Sequence, residues 1–174
     1  MNQQKFYAGI GSRETPKDIL PLMTLFAKKM EEQKFILRTG GAEGADSAFM
    51  AGVENPENLH VFLPWKTFNG GQGIFIPDYE PWCRKAQEEV SKVHPAWNRL
   101  TQGAKKLHTR NFFQIFGMEE GQPKSSFVLF WAEEDLDGVR GGTATAVNLA
   151  IKFGVKTFNL KNEEVQKKIE GFLQ

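Results

Sequence analysis

The sequence predicts an α/β fold of the Rossmann-like type, in which helices cover both faces of a doubly wound, mostly parallel sheet. Two observations predict this class. Short β-prone runs alternate with helical stretches along the chain, and glycine-bearing turns lie where three of these strands give way to the next element. The length of 174 residues suits one domain. We therefore expect a single domain over residues 1–174.

The first half of the chain contains two strand-turn-helix units. Residues 5–10 (KFYAGI) predict the first strand, and Thr15-Pro16 opens a helix that runs through Met30. Apolar residues in that stretch recur at spacings of three and four, which is typical of a helix with one buried face. Residues 34–38 and 45–51 predict the second strand and a short second helix.

The remaining strands are short apolar runs. Residues 60–63, 126–131 and 155–160 predict the third, fourth and fifth strands, and residues 143–153 predict the helix before the last of them. Such alternation favours parallel strands joined by helical crossovers. The sheet is therefore expected to have five strands.

An insert separates the third and fourth strands at residues 64–118, because this stretch is too long for an ordinary crossover. Its first part, 64–79, is rich in glycine and aromatic residues and has no helical or alternating period. It is either a mobile flap or a long loop with Trp65, Phe68 and Phe75 packed onto the body. Its second part, 80–118, predicts two helices with a break at His94-Pro95, since the residue before proline disfavours helical geometry.

Composition excludes several classes of protein. The 22 Lys and Arg residues nearly balance 21 Asp and Glu residues, so no global basic field favours nucleic acid as a partner. One cysteine and three histidines predict neither a disulfide nor a metal site, and we expect no cofactor. No long apolar run or secretory leader is seen, which predicts a cytoplasmic protein without a membrane partner.

Three glycine turns carry the candidate ligand-binding residues. Ligands of open parallel sheets bind beyond the carboxyl ends of the strands, where backbone N–H groups and helix N-termini attract phosphate. Glycine also serves tight turns for steric reasons, and Asp46 is alternatively a helix cap. The candidates in the three turns are Gly9, Gly11, Ser12 and Arg13; Thr39, Gly40, Gly41 and Asp46; and Gly141, Gly142, Thr143 and Thr145.

The helical insert adds Trp97, Arg110 and Asn111 to the candidate ligand-binding residues. Trp97 offers a surface on which a purine stacks, and Arg110 offers a phosphate partner. Arg110 and Asn111 interrupt an apolar helical pattern, so we expect them to reach a partner. The alternative is a core tryptophan with polar residues that cap a helix.

The glycine turns resemble those of the SLOG superfamily, which includes the LOG cytokinin-activating enzymes and DNA-processing protein A. The segments GIGSRETP, LRTGGAEGADSAFMAG and GGTATAVNLA carry this resemblance, and HPAWNRL and KLHTRNFFQIFG are most similar to stand-alone SLOG proteins of phages and prophages. The resemblance implies a pocket for a nucleotide-derived ligand lined by the three turns. It also implies self-association, as a dimer or tetramer, and, for a phage protein, the host cytoplasm.

This chain departs from the motif of the LOG enzymes at the catalytic residue of that motif. Where those enzymes place a catalytic glutamate, this sequence has Asn148, and an amide does not replace a carboxylate in glycosidic cleavage. We therefore predict no catalytic residue. The expected function is to sequester or sense a nucleotide-derived signal, of the ADP-ribose type or a cyclic nucleotide, in the manner of a phage anti-defence sponge.

Two other functions remain as alternatives. One is a LOG-like N-glycosidase of nucleoside monophosphates that uses Asp46, Glu43 or the acidic run at 133–137 as its carboxylate. The other is binding of single-stranded DNA, as in DNA-processing protein A. That function would need a basic stripe with stacking aromatic residues, formed in this chain by Arg84, Lys85, Lys92, Arg99, Lys105 and Lys106.

Overall fold

The computed structural model describes residues 3–174 and contains a six-stranded sheet in which every pairing is parallel. The predicted fold class is confirmed. The strands of the sheet are β1 (Lys5–Gly11), β2 (Phe35–Thr39), β3 (Leu59–Leu63), β4 (Ile74–Phe75), β5 (Phe127–Trp131) and β8 (Lys156–Asn159); β6 (Glu134–Asp135) and β7 (Gly138–Val139) form a separate antiparallel hairpin. The helices are α1 (Leu20–Glu32), α2 (Ala45–Met50), α3 (Trp82–Val93), α4 (Gln102–Phe116), α5 (Thr143–Lys152) and α6 (Glu163–Leu173).

The order of the strands, β4-β3-β2-β1-β5-β8, reverses at β1. Ala8 in β1 pairs with Arg38 of β2 on one side and with Val128 of β5 on the other. The connections after β1 and β5 therefore leave in opposite directions and open a crevice at the carboxyl ends of these strands. All three glycine turns lie at this edge of the sheet.

Both faces of the sheet are buried, because alternate residues of each strand point to opposite sides. Tyr7 packs on one face with α1, α2 and α6, whereas Ala8, the next residue, packs on the other face with α3, α4 and α5. This burial on both faces explains why β1 and β5 read as continuous apolar runs.

The predicted start of the first helix at Thr15-Pro16 is wrong. The carbonyl of Ser12 accepts hydrogen bonds from Thr15 N (3.3 Å) and Thr15 Oγ1 (2.7 Å), and Ile19 N donates to Pro16 O (3.0 Å). These bonds form turns rather than a continuous helix. Helix α1 begins at Leu20, with Pro21 in its first turn.

The glycine-rich part of the insert packs against the body of the protein. Phe68 is buried, Trp65 and Phe75 are half-buried, and the short strand β4 pairs with Phe62 and Leu63 of β3. The prediction of five strands missed β4. The structure corresponds to the alternative in which the aromatic residues of 64–79 pack onto the core.

Two further elements were absent from the sequence prediction. The acidic run at 133–137 contributes to the exposed hairpin of β6 and β7. Helix α6 follows β8 and packs Val165 and Ile169 against the face that contains Tyr7. Within residues 3–174, none of the helices has the length and hydrophobicity that crossing a membrane requires.

Candidate functional site

A cavity of about 420 Å³ opens at the carboxyl edge of the sheet, between the glycine turns and α4. Its volume lies in the range of roughly 300–1,000 Å³ found for small-molecule sites. Its lining combines the strand-end turns with one polar face of α4. The lining residues are Ile10, Gly11, Ser12, Arg13, Glu14, Ala42, Asp46, Leu107, His108, Arg110, Asn111, Gln114, Arg140, Gly141, Gly142 and Thr143.

Helix α4 ties two of the glycine turns to each other. Arg110 Nη1 donates to Gly40 O in the second turn (2.7 Å), and Asn111 Nδ2 donates to Gly142 O in the third turn (3.0 Å). His108 Nδ1 lies 2.8 Å from Thr145 Oγ1 on α5. Arg110 and Asn111 thus donate to backbone carbonyls of the turns, and the expected contact of both residues with a ligand stays a prediction.

Arg110 is a buried cation with few partners. Its side chain is over nine-tenths buried, and its guanidinium lies 5.1 Å from the centre of the Phe68 ring. Burial lowers the pKa of Arg110, while the charge of Asp46 opposes that shift. In the described part of the chain no carboxylate oxygen lies within 4.0 Å of the guanidinium, and Nε has no hydrogen-bond partner.

Asp46 lies at the start of α2 and is one of the residues that line the cavity. Oδ2 accepts a hydrogen bond from Ala42 N (3.1 Å), whereas Oδ1 is buried without a partner among residues 3–174. The side chain therefore braces the second glycine turn and does not cap α2, whose N-cap residue is Gly44. Burial raises the pKa of Asp46, and the charge of Arg110 is the main opposing influence.

Gln114 completes the buried polar group, since its Oε1 also lacks a partner within the described residues. Gln114 and Arg110 lie against the backbone of Gly40. A Cβ atom at Gly40 would come within 2.6 Å of Gln114 Nε2 and 2.7 Å of Arg110 Cζ. Gly40 is therefore required to leave room for these two side chains.

Exposed charges surround the mouth of the cavity. Arg13 and Glu14 are exposed at the end of the first turn. Arg140 is paired with Asp135 of the β6–β7 hairpin and lies 3.8 Å from Asp137. The N-terminus of α5 has no side-chain cap, so its free N–H groups add positive potential beside Thr143.

The structure separates the predicted site residues into two groups. One group lines the cavity and consists of Gly11, Ser12, Arg13, Asp46, Arg110, Asn111, Gly141, Gly142 and Thr143. The other group lies outside the lining and consists of Gly9, Thr39, Gly40, Gly41, Thr145 and Trp97. Of these, Gly9 has a packing role, because a Cβ there would lie 2.7 Å from the Phe49 ring.

Trp97 does not share the cavity with Arg110, contrary to the expectation that both contact one ligand. It lines a separate surface cavity of about 630 Å³ with His94 and Asn98. The rings of His94 and His108 have centroids 4.3 Å apart, and only His108 lines the site with Arg110. The bend of the chain around Pro95 turns Trp97 toward this second cavity.

Gln114 was missed among the candidate residues, although a signal for it exists in the sequence. It follows Arg110 by four residues, and residues at this spacing lie on the same face of a helix. Arg140 and Glu14 carried no comparable signal, because exposed charged residues beside a turn are common in any sequence.

The position that corresponds to the LOG catalytic glutamate lies outside the site. Asn148 is exposed on α5 and does not line the cavity. Of the carboxylates considered as replacements, Asp46 lines the cavity, whereas Glu43 and the run at 133–137 do not.

Comparison with known proteins gives a similarity of fold. No protein-family model matches the chain, and no curated protein matches it. Among solved structures, the chain is similar to DNA processing protein A from Helicobacter pylori, a protein that binds single-stranded DNA. The TM-score is 0.57 at 13% sequence identity, and the match covers 98% of this chain and 79% of the other. The fold predicted from the glycine turns is thus one that DNA processing protein A also has.

Proposed function

We propose that this protein binds a nucleotide-derived small molecule in the cavity between its glycine turns and α4, and holds it intact. One observation carries the proposal. Three cationic side chains, Arg13, Arg110 and Arg140, line this cavity together with the glycine turns and the uncapped N-terminus of α5. Cations and helix N-termini attract phosphate, so their convergence on one cavity supports a phosphate-bearing ligand.

The two ends of the cavity suit the two chemical parts of a nucleotide. Arg13 and the start of α5 at Thr143 provide positive potential for a phosphate near the mouth. The buried carboxylate and amide oxygens suit groups that donate hydrogen bonds, such as sugar hydroxyls. A nucleotide of the ADP-ribose type or a cyclic nucleotide provides both parts.

We expect the ligand to stay intact, because the residue at the position of the LOG catalytic glutamate is an amide and lies outside the cavity. Asp46 is braced by Ala42 N, and Asn148 lies outside the cavity. Denaturing the protein after incubation with nucleoside monophosphates and ADP-ribose, followed by mass analysis of the supernatant, tests this point. Intact ligand is expected, and release of free base over several turnovers would show an N-glycosidase that uses Asp46.

The biological role that fits such a binder is capture of a signal. A member of the SLOG superfamily encoded by a phage would lower the free concentration of a nucleotide immune signal in the host cytoplasm. We also propose that the protein self-associates, in line with the resemblance in its glycine turns. Sedimentation of the purified protein at micromolar concentration tests this, and a monomer with and without nucleotide would contradict it.

Binding of single-stranded DNA is the second candidate function, because the fold is similar to that of DNA processing protein A. Against it, Arg140 at the cavity mouth is already paired with acidic residues, and the net charge of +1 provides no general attraction for a polyanion. Salt-sensitive retention of an oligothymidylate would favour this function over capture of a small molecule.

Native mass spectrometry of the protein purified from cells is the first experiment for the main proposal. A bound species whose mass fits a nucleotide is expected, and it should be absent from an Arg110→Met variant. Titration with AMP and ADP-ribose by calorimetry provides the complementary test. Lack of any nucleotide binding in both measurements would overturn the proposal.

A further inference from the structure

We propose that His108 donates a hydrogen bond from Nε2 to a phosphate of the ligand and takes up a proton from solvent at Nδ1 when that phosphate binds. This inference rests on the proposed function and adds a pH dependence to it, since the ligand is then held more tightly in acid than at neutral pH. The residues that carry it are His108 of α4, which lines the cavity, and Thr145 of α5, which contacts the ring.

Of the two ring nitrogens of His108, one has a partner and the other is free. Nδ1 lies 2.8 Å from Thr145 Oγ1. Nε2 makes no hydrogen bond with the described residues, yet it is not one of the buried polar atoms that lack a partner there. Solvent therefore reaches Nε2. Because His108 lines this cavity and not the neighbouring one that contains Trp97, Nε2 is the atom that His108 offers to a ligand.

The partner of Nδ1 decides which ring nitrogen carries the proton of the neutral imidazole. Thr145 is 3% exposed, and its hydroxyl has no other hydrogen-bond partner among residues 3–174. If Nδ1 carried the proton and donated it to Oγ1, the hydroxyl hydrogen would be buried without an acceptor, which costs free energy. The hydroxyl therefore donates to Nδ1, and the neutral ring carries its proton on Nε2.

The groups around His108 keep the ring neutral. Burial lowers the pKa of His108 to about 4, and His94 at the end of α3 and Arg110 on α4 contribute to the shift. The contact from α5 is the uncharged hydroxyl of Thr145. With Arg110, the cavity lining holds three cations and two carboxyl groups, so it attracts an anion and opposes charge on His108. The other charged residues of the lining are Arg13, Glu14, Asp46 and Arg140.

A bound phosphate reverses this preference for the neutral ring. An anion at hydrogen-bond distance from Nε2 favours the imidazolium form and raises the pKa of His108. The added proton binds to Nδ1 and is donated to Thr145 Oγ1, because a hydroxyl accepts as well as donates. The hydroxyl then turns its own hydrogen to a carbonyl of the preceding helical turn, as threonines in helices do. Phosphate binding and proton uptake therefore strengthen each other, since linked equilibria are reciprocal.

Calorimetric titration with ADP-ribose at pH 5 and pH 8 tests the inference. ADP-ribose is the probe because its two phosphates keep their charge over this range, whereas the phosphate of AMP titrates near a pKa of about 6. A phosphate that raises the pKa of His108 from about 4 to about 6 should make binding about tenfold tighter at pH 5 than at pH 8. Titrations in buffers of different ionisation enthalpy should show uptake of about 0.8 proton per ADP-ribose at pH 5.

Variants assign the proton to one ring. In His108→Gln, which keeps a neutral donor but does not titrate, ADP-ribose should bind equally at the two pH values. Thr145→Val should also lose most of the pH dependence, because its side chain does not accept a proton from Nδ1. His60→Gln is the matched control and should retain the tenfold difference, since the pKa of His60 is also lowered to about 4 but the residue lies outside the cavity lining.

Nitrogen-15 NMR of the three histidines tests the inference in the wild-type protein without any variant. His108 should carry its proton on Nε2 at pH 8 and should titrate at higher pH with ADP-ribose than without it. ADP-ribose binding that does not change with pH overturns the inference while the proposed function stands. A pH dependence that persists in His108→Gln assigns the proton to Asp46 or Glu14 and also overturns it. No binding of ADP-ribose at either pH overturns both proposals.

Discussion

Two buried arginines, Arg38 in β2 and Arg110 in α4, meet the same electrostatic problem in different ways. Neither has a carboxylate oxygen within 4.0 Å among residues 3–174. Arg38 is fully buried, lies 3.7 Å from the centre of the Phe6 ring, and donates to protein acceptors through both terminal nitrogens. These acceptors are Ile115 O (3.3 Å), Pro123 O (2.9 Å), Ser125 Oγ (3.4 Å) and Gln122 Oε1 (3.5 Å).

Arg110 has only one such acceptor, Gly40 O. Within the described chain, Nε lacks a partner in both arginines. Among residues 3–174, however, Arg110 Nη2 donates to no protein acceptor, and the side chain lines the cavity. Arg38 donates to Ile115 at the carboxyl end of α4 and to residues 122–125 that follow the helix. A cation at this end of α4 is also favoured by the helix dipole. Arg38 thus serves the fold, whereas Arg110 has donors that the proposed ligand would use.

Arg38→Met is expected to give the largest effect. The substitution keeps much of the apolar volume over Phe6 but leaves the acceptors near the end of α4 without a donor. We expect the free energy of unfolding to fall by about 3–5 kcal/mol, which chemical denaturation measures. A loss below about 1 kcal/mol would show that these hydrogen bonds do not hold the carboxyl end of α4.

Arg110→Met is the matched substitution at the other arginine. It leaves one buried acceptor, Gly40 O, without its donor, so the free energy of unfolding should fall by about 1–2 kcal/mol, less than for Arg38→Met. The affinity for AMP should fall about a hundredfold, because charge-assisted hydrogen bonds to the ligand are lost. Stability loss equal to that of Arg38→Met would place both residues in the same structural role.

Arg13→Ala should have a smaller effect than Arg110→Met. Arg13 is exposed at the cavity mouth, where solvent weakens its attraction for phosphate. We expect affinity for AMP to fall about tenfold with unchanged thermal unfolding. Lys17→Ala, also exposed but outside the cavity lining, is the control, and an equal loss in that variant would argue for general charge attraction.

Acidification should produce the smallest effect per residue, through a histidine beside each arginine. Burial lowers the pKa of His60 to about 4 with a contribution from Arg38, and burial with the neighbouring His94 and Arg110 lowers that of His108 to about 4. The folded protein therefore binds fewer protons than the unfolded chain between about pH 6.5 and pH 4. Stability is retained above pH 6.5 and falls as the pH drops toward 4.

Each histidine should account for roughly 1 kcal/mol of this loss, since solvent screens both partly buried rings. The free energy of unfolding of His60→Gln and of His108→Gln, measured by denaturation across this pH range, should fall less steeply with decreasing pH than that of the wild-type protein. Slopes that match the wild type in both variants would assign the acid sensitivity to other groups.

The sequence was informative where a regular pattern decides the structure. The apolar runs of β1, β2, β3 and β5 and the glycines after them were sufficient to predict the sheet and the edge where the candidate site lies. Helix α1 started later than predicted because the Ser12 carbonyl captures Thr15. The two-residue strand β4 is too short to show the alternation of apolar and polar residues that predicts a strand.

The buried polar side chains of the site, Asp46, Arg110 and Gln114, come together only through three-dimensional packing. Helical spacing relates Gln114 to Arg110, but no sequence pattern shows which of their atoms lack partners. The apolar positions Val165, Ile169 and Phe172 do have helical spacing, so α6 was predictable. Sequence proximity between Trp97 and Arg110 also did not reveal that the two side chains line different cavities.

Unfolding of the wild-type protein and the Arg110→Met variant, with and without AMP, tests the central claim most directly. A ligand that binds only the folded state at a hundred times its dissociation constant stabilises that state by about 2.7 kcal/mol. The account predicts this increase for the wild type and an increase of less than about 0.5 kcal/mol for Arg110→Met at the same AMP concentration. Equal stabilisation of the two proteins by AMP would contradict the assignment of Arg110 to the ligand site.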